Sequence, residues 1–329
     1  MIMRNILFVS LLLILSSCSK PGKQVQSETV SKTVAVPEFS ADSAYKFVKQ
    51  QVDFGPRVPN SAVHKACAEY LENSLKQFGA KVIVQEADLK AFDGNILKAK
   101  NIIGSFNPEN ETRVLLFSHW DSRPWADHDA NKNNHKTPVL GANDGASGVG
   151  VLLEIARVLN KQKLDIGVDI IFFDAEDYGA PENLATTENE DSWCLGTQYW
   201  AKNMHVPGYR ARYGILLDMV GAPQAKFYRE QISDYYAKQV VDKVWSQASS
   251  LGFGNYFINE SGGGVTDDHV YVNQLAGIPS IDIIHYDPNA ASGFASYWHT
   301  TNDTMENIDK NTLQAVGITL LNVIYNERP

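Results

Sequence analysis

Two hydrophobic patterns alternate along this chain from about residue 40 onward. Short apolar or alternating runs predict strands at 81–89, 97–106, 113–118, 168–174, 213–218 and 280–285. Apolar residues at three-to-four spacing predict helices at 42–52, 61–78, 146–160, 195–204, 235–251, 267–275 and 310–326. Strands separated by helices of this length need crossover connections. The pattern therefore predicts an α/β three-layer sandwich, with helices on both faces of a mostly parallel central sheet and an antiparallel hairpin at one edge.

The first 37 residues follow neither pattern. Arg4 precedes an apolar run over residues 6–15, which is too short to span a bilayer but has the length of a signal-peptide core. The next residues, Leu15-Ser16-Ser17-Cys18, resemble the cleavage box of bacterial lipoproteins, in which the signal is removed before an acylated cysteine. An ordinary secretory signal with an incidental cysteine is the alternative.

This N-terminal pattern predicts how the chain is organised. We expect a lipoprotein signal peptide at 1–17, a lipid-anchored tether at 18–37 and a single α/β domain at 38–329, which carries the candidate catalytic residues. Cys18 would carry the lipid. The expected location is the bacterial cell envelope, with the membrane contacted through the lipid anchor alone.

The charge balance narrows the classes of partner. The 329 residues include 29 Lys and Arg against 38 Asp and Glu, a formal net charge of −9. A nucleic-acid surface would need a basic stripe to neutralise phosphates, so no nucleic-acid partner is expected. Three cysteines are too few for a disulfide scaffold. Cys67 and Cys194 are expected to be small buried hydrophobic residues.

Polar residues stand where the predicted strands end. His119 follows the strand 113–118, the pair Glu176 and Asp177 follows 168–174, and Asp218 closes 213–218. Asp144 lies just before a predicted helix, and His299 lies in the loop after the last strand. The carboxyl ends of parallel strands open onto one crevice, so these side chains are expected to meet there. Histidines and carboxylates together suit Zn²⁺, so a zinc site is predicted at this edge.

The sequences of these segments resemble those of a known clan of enzymes. His119-x-Asp121, Gly-Ala-Asn-Asp144 and His299-Thr-Thr-Asn-Asp303-Thr are similar to segments of the co-catalytic zinc aminopeptidases. Within that clan the glutaminyl cyclases, or glutaminyl-peptide cyclotransferases, are the most similar group, over most of residues 41–329. The cyclase-like segments are Phe172-Phe-Asp-Ala-Glu176, Leu216-Leu-Asp-Met-Val-Gly-Ala-Pro223, Asp267-Asp268-His269 and Phe294-x-x-x-Trp298-His299-Thr300.

The resemblance implies a role for each matching residue. One zinc ion per chain would be bound by Asp144, Asp177 and His299, and Glu176 would be the proton shuttle. Asp218 and Asp267 would form a supporting hydrogen-bonded pair, and Phe294 and Trp298 would wall the substrate pocket. The residues matching His119 and Asp218 hold a second zinc in the aminopeptidases and support the site in the cyclases, so both roles stay open.

The activity implied by the resemblance is cyclisation of the N-terminal glutamine of peptides and proteins to pyroglutamate, with release of ammonia. The alternative is a zinc aminopeptidase of the same clan, in which the same base would activate water. A binding lipoprotein without turnover is the third class. Peptide or protein N-termini bearing glutamine are therefore the expected partners.

Several side chains have two interpretations on sequence grounds. Asp144 could cap the helix that follows it, and Trp298 could be a core aromatic residue. Trp193 could be a pocket wall or a loop anchor. The polar loop 120–140 is expected to shape the pocket mouth, with the pairs Asp127/Asp129 and His128/His135 facing solvent.

Overall fold

The computed structural model describes residues 35–187, 189 and 191–329. The predicted signal peptide, Cys18 and nearly all of the predicted tether lie outside the described residues, so these assignments stay predictions. Within the described ranges, no helix is both long and apolar enough to cross a membrane.

The described residues alternate strands and helices in the predicted order. The strands are β1 (Lys81–Lys90), β2 (Ile96–Phe106), β3 (Arg113–His119), β4 (Gly167–Phe173), β5 (Gly214–Asp218), β6 (Phe227–Arg229), β7 (Phe257–Ser261) and β8 (Ser280–Ile284). The helices are α1 (Ala41–Asp53), α2 (Ala62–Gln77), α3 (Ala146–Lys161), α4 (Leu195–Lys202), α5 (Gln231–Ser250), α6 (Asp268–Tyr271) and α7 (Lys310–Tyr325).

The central sheet confirms the predicted fold class. Six strands pair in the order β1-β2-β4-β3-β5-β8, and the pairs β4–β3, β3–β5 and β5–β8 are parallel. β1 and β2 form the predicted antiparallel hairpin at one edge. Every residue of β3, β4, β5 and β8 is buried. Such strands need cover on both faces of the sheet.

The two faces of the sheet are covered by different helices. α1, α3 and α7 pack against one another over one face. On the other face, Phe117 and Phe173 pack with Trp200 of α4 and with Val272, in a π-helical turn (Val272–Ala276) that continues α6. These layers account for the apolar spacing of the helices because each helix turns its apolar stripe toward the sheet.

Two elements differ from the prediction. β6 and β7 form a separate two-stranded parallel sheet that the hydrophobic pattern does not reveal, because the strands have three and five residues. α5 begins at Gln231 rather than at 235, since the side chain of Glu230 accepts hydrogen bonds from the backbone N–H groups of Ile232 and Ser233. A carboxylate at the N-cap position can start a helix even where the spacing of apolar residues does not mark its first turn.

α3 lies unusually close to the sheet, which matters because Asp144 directly precedes it. A Cβ atom on Gly148 would lie 2.3 Å from the backbone oxygen of Leu217 and 2.4 Å from Oγ of Ser118. Only glycine permits this approach. The first turn of α3 is therefore pressed against the ends of β3 and β5, next to the predicted site.

Candidate active site

The polar residues at the strand ends meet as predicted, with His119 at their centre. Its Nε2 lies 3.0 Å from Oδ1 of Asp144 and 3.2 Å from Oδ1 of Asp218. Its Nδ1 lies 3.7 Å from Oε2 of Glu176. The parallel sheet thus brings together side chains from β3, β5, the turn after β4 and the start of α3.

The three predicted metal ligands also lie together. Nε2 of His299 is 3.3 Å from Oδ1 of Asp177 and 3.5 Å from Oδ2 of Asp144. One ligand atom from each residue lies within 4.8 Å of the other two, and all three residues are buried. Asp144 does not cap α3, because the N-cap residue is Gly145 and no side-chain cap is present. The helix-cap interpretation of Asp144 is therefore wrong.

The chemistry of this triad fits a divalent cation. Burial lowers the pKa of His299 well below its ordinary value, and the nearby Arg123 guanidinium acts in the same direction, so the imidazole is neutral and able to ligate. Burial and the Asp144 carboxylate raise the pKa of Asp177. Oδ2 of Asp177 is buried without a hydrogen-bond partner among the described residues. A bound cation would relieve both the repulsion and the missing partner.

A second triad shares one of these residues. His119, Asp144 and Asp218 also place ligand atoms within 4.8 Å of one another. Burial alone would lower the pKa of His119, but hydrogen bonds to Asp121, Asp144 and Asp218 raise it well above its ordinary value. Without a metal, His119 is therefore a partner for the carboxylates around it, and the same three side chains also offer the ligand atoms of a second cation site.

Two further carboxylates hold the turns that carry the ligands. Oδ1 and Oδ2 of Asp121 each accept a backbone N–H, from Glu176 and Asp177 respectively, at 3.1 Å. Asp303 accepts the backbone N–H groups of Asn143 and Asp144 at 2.8 and 3.0 Å. The sequence motifs contain both aspartates, but only the structure shows that they bind backbone rather than metal.

Glu176 has the surroundings of a general base. Its side chain is 13% exposed and lines the cavity, and partial burial raises its pKa well above the ordinary value. The nearby Asp267 and Asp177 carboxylates raise it further, while His119 opposes them. The Cys194 thiol donates to Oε1 of Glu176 at 3.5 Å. Cys194 is buried as predicted, but it also contacts this carboxylate, which the prediction of a small hydrophobic residue missed.

The predicted supporting pair lies on the same cavity wall. Asp218 and Asp267 both line a cavity of about 430 Å³ together with Glu176. Burial raises the pKa of Asp267 to about 7, and the charge of Asp218 contributes. Next to it, Asp268 is fully buried, and burial together with Asp267 raises its pKa to about 7. Burial thus favours the protonated form of the Asp267 and Asp268 carboxyls.

Aromatic rings enclose the ligand His299. The Trp298 ring stacks on its imidazole at 3.7 Å between centroids, and the Trp193 ring lies parallel to it at 6.0 Å. Phe294 packs against Trp298 at 4.7 Å. All three rings line the cavity, and Trp298 and Trp193 are only half-buried. Trp298 and Trp193 therefore both lie on the cavity wall, while their contact with a substrate stays a prediction.

Left-handed backbone conformations cluster at this site. Ala175, Cys194, Met219 and His299 all have φ between 48° and 54°. Each is a neighbour of a site residue or is one itself. Such conformations cost about 1–3 kcal/mol each in residues other than glycine, and they persist where the surrounding structure enforces them. We infer that the strained backbone at these turns serves to position the side chains of the site.

The loop 120–140 contradicts part of the prediction. Arg123, Asp127 and His128 line a second cavity of about 820 Å³ that Trp298 and His299 also line. Asp129 is buried and accepts hydrogen bonds from the Thr301 backbone N–H and hydroxyl at 3.1 and 2.6 Å. The backbone N–H of His128 donates to the His299 carbonyl at 3.2 Å. Asp127 faces His299 rather than solvent. The loop is bound to the segment that supplies the ligand histidine.

Comparison with known proteins supports this site. Residues 101–324 match peptidase family M28. A Zn-dependent exopeptidase structure from Parabacteroides distasonis is 63% identical, with a TM-score of 0.88 over 89% of this chain and 100% of that one. Bacteroides thetaiotaomicron glutaminyl cyclase is 58% identical, with the same TM-score and coverage. Aminopeptidase YwaD of Bacillus subtilis is 27% identical over 82% of this chain, which spans about half (54%) of its length.

The chain belongs to peptidase family M28. The M28 relatives named here include a glutaminyl cyclase, an aminopeptidase and a protein described as an exopeptidase. Membership of M28 therefore establishes the fold, while the roles of the site residues and the choice between reactions depend on the chemistry of the cavity.

The buried carboxylates of this M28 site predict an unusual pH dependence of stability. Burial and the charge of Asp144 raise the pKa of Asp303 from 3.8 to about 7, and burial raises that of Asp267 to a similar value. The folded protein then binds more protons than the unfolded chain, so stability is greatest at low pH and is lost as pH rises toward 7. We expect metal-stripped protein to melt at a higher temperature at pH 5 than at pH 8.

The measurement is a series of thermal melts in chelator-treated buffer, with the same series on protein loaded with divalent metal as the control. The bound cation should hold the carboxylates ionised and reduce the dependence on pH. Metal-stripped protein that becomes more stable from pH 5 to pH 8 would contradict the proposed charge state of the site.

Proposed function

We propose that this chain is a zinc-dependent glutaminyl-peptide cyclotransferase, which converts N-terminal glutamine to pyroglutamate and releases ammonia. The observation that carries the proposal is the placement of Glu176 in an aromatic-walled cavity beside the triad Asp144, Asp177 and His299. The 58% identity to a glutaminyl cyclase over nearly the whole described chain supports it.

The metal of this proposal fits the ligand set. Asp144, Asp177 and His299 would hold one zinc ion, since two carboxylates and a neutral imidazole leave a coordination position open. When bound there, zinc would polarise the γ-carboxamide carbonyl of the substrate as a Lewis acid. All remaining steps depend on side chains of the chain itself.

Glu176 would move the proton. The substrate's α-amine attacks its own Cδ, which forms the ring C–N bond, and Glu176 accepts the proton that the amine loses. Glu176 then donates this proton to the γ-amide nitrogen as that C–N bond breaks and ammonia leaves. A raised pKa suits a group that must both accept and donate near neutral pH. The attack is intramolecular, so the enzyme mainly has to hold the bent conformation.

Asp218 and Asp267 would orient the leaving group. Both line the cavity with Glu176, and the raised pKa of Asp267, due first to burial, indicates that it is partly protonated near neutral pH. Carboxyl oxygens at this wall can accept the N–H groups of the γ-amide. This contact would hold the amide nitrogen close to Glu176, where it must receive a proton.

The aromatic walls would exclude water. Hydrolysis of the γ-amide to glutamate competes with cyclisation whenever water reaches the carbonyl carbon. Trp193, Phe294 and Trp298 line the cavity, and the apolar faces of their rings offer no hydrogen-bond partner that would hold a water molecule beside the substrate carbonyl. The same rings provide an apolar surface for the methylene groups of the glutamine side chain.

A zinc aminopeptidase is the second candidate, and the second triad of His119, Asp144 and Asp218 favours it. Two cations bound across the shared Asp144 would suit activation of water. Nε2 of His119 lies 3.0 Å from Asp144 and 3.2 Å from Asp218, and its Nδ1 lies 3.7 Å from Glu176, contacts that suit the supporting role that the cyclase proposal gives to His119. The two activities release different products from the same peptide.

The direct test is to incubate purified protein with a peptide that begins with glutamine and to weigh the products. The proposal predicts a peptide lighter by one ammonia, whereas free glutamine would indicate the aminopeptidase. If neither product forms, the binding-protein alternative is favoured.

Glu176→Gln should lower the cyclisation rate by about 10²- to 10⁴-fold, because the change is nearly isosteric but removes the base.

A matched variant separates chemistry from folding. Glu72→Gln makes the same substitution at a glutamate that pairs with Lys76 on the surface of α2, and it should cyclise at the parental rate. Glu176→Gln should keep the zinc content of the parent. A Glu176→Gln variant that is as active as Glu72→Gln would remove Glu176 from the mechanism.

We also propose that the protein is a lipoprotein of the cell envelope, anchored through Cys18. The support is the sequence Leu15-Ser16-Ser17-Cys18 after a short apolar run. The substrates would then be peptides and proteins that reach the envelope. Only the lipid would contact the membrane.

Cys18→Ala should abolish lipid attachment because no thiol remains to be acylated. Detergent phase separation of the expressed protein measures this, and Ser17→Ala, which keeps a small residue before the cysteine, should still enter the detergent phase. If Cys18→Ala partitions with the detergent like the parent, the anchor is not at this residue.

A further inference from the structure

One buried arginine connects the two loops that supply metal ligands. Arg123 is 1% exposed, and its Nε and Nη2 donate to Oδ1 and Oδ2 of Asp127, both at 2.7 Å. Its Nη1 donates to the backbone oxygen of Asp177 at 3.0 Å and approaches Oδ1 of Asp177 at 3.4 Å. The planar fork of an arginine is the group that can make these contacts together.

Asp127 extends this connection to His299. Its Oδ1 lies 3.6 Å from Nδ1 of His299, on the side of the ring opposite the triad. Among the described residues, that Nδ1 is buried with no hydrogen-bond partner. The backbone N–H of His128 donates to the His299 carbonyl at 3.2 Å, so the loop that carries Asp127 is bound directly to this segment.

We propose that Arg123 and Asp127 are positioning residues that form an outer support for the metal triad. Asp127 would accept the Nδ1–H of His299, which fixes the tautomer whose Nε2 lone pair faces Asp144 and Asp177. A ligand histidine commonly donates its second ring N–H to such a carboxylate. Arg123 holds Asp127 at the required place and anchors the backbone of Asp177.

The same guanidinium also orders the pocket wall. The Arg123 carbon Cζ lies 4.6 Å from the centre of the Trp193 ring, and that ring is parallel to His299. A Cβ atom on Gly179 would lie 2.0 Å from the indole, so the ring is confined on another side as well. Loss of Arg123 should therefore loosen both the metal ligands and the wall.

The inference rests on the metal of the proposed function, so its test measures metal binding as well as turnover. Zinc affinity is measured by competition with a chromophoric chelator for the parent, Asp127→Ala, Asp127→Asn and Arg123→Lys. Asp127→Ala should weaken zinc binding by about 10- to 100-fold. Asp127→Asn should lose less zinc affinity, because the amide oxygen can still accept the Nδ1–H of His299. Arg123→Lys should weaken zinc binding, because lysine lacks the planar guanidinium that binds both carboxylate oxygens of Asp127.

The control is a second bidentate pair that lies away from the site. Arg157 donates through Nε and Nη2 to Glu154 on α3, both at 2.6 Å. Glu154→Gln disrupts that pair and should lower the melting temperature without changing zinc affinity. If an Asp127→Ala protein does not fold, Arg123→Lys carries the test with the same sign.

The outcomes are separable. Parental zinc affinity in folded Asp127→Ala or folded Arg123→Lys would overturn the supporting role of this pair, even if the parent cyclises glutamine peptides. An equal loss of affinity in Glu154→Gln would show that general destabilisation explains the effect. A parent that binds no zinc at all would instead contradict the proposed function.

Discussion

Repulsion among buried carboxylates is the physical constraint on which this site depends. Asp144, Glu176, Asp177, Asp218 and Asp267 come from four separate segments and meet at one end of the sheet, all with restricted access to water. Ionised carboxylates cannot accumulate in such a place unless a cation or shared protons neutralise them. Two devices meet this requirement here: the imidazole of His119, which lies between these carboxylates, and the triad around His299 that is fit for a divalent cation.

The backbone around the site is arranged to meet the same constraint. Asp121 and Asp303 bind backbone N–H groups of the ligand-bearing turns, which fixes the turns without adding more ligands. Left-handed residues, Ala175 and Met219 among them, turn the chain sharply at the strand ends. The strain in these turns is tolerated because the sheet and α3 beneath them are closely packed, as the contact at Gly148 shows.

Much of this arrangement is readable from the sequence because it follows from local pattern. Continuous apolar runs identify β3, β4, β5 and β8, and the rule that parallel strands end on one side predicts that His119, Glu176 and Asp218 meet. The residues that were missed act across long separations. Asp127 lies in a polar loop, and no neighbouring residue in the sequence indicates that the Arg123 side chain binds it. Nor does the local sequence indicate that Asp129 of this loop binds Thr301, 172 residues away, and so attaches the loop to the His299 segment. Trp193 was undecided for the same reason, since a half-buried ring reveals its role only when its neighbours are known.

The central claim is that one cation, and not two, organises these carboxylates for glutamine cyclisation. Zinc should be titrated into metal-free protein while cyclisation of a glutamine peptide and bound zinc per chain are followed together. The account predicts that activity rises with zinc and saturates at one ion per chain, with His119 left as a supporting group. Saturation only at two ions, with activity lost when the second is removed, would contradict it and favour the aminopeptidase chemistry.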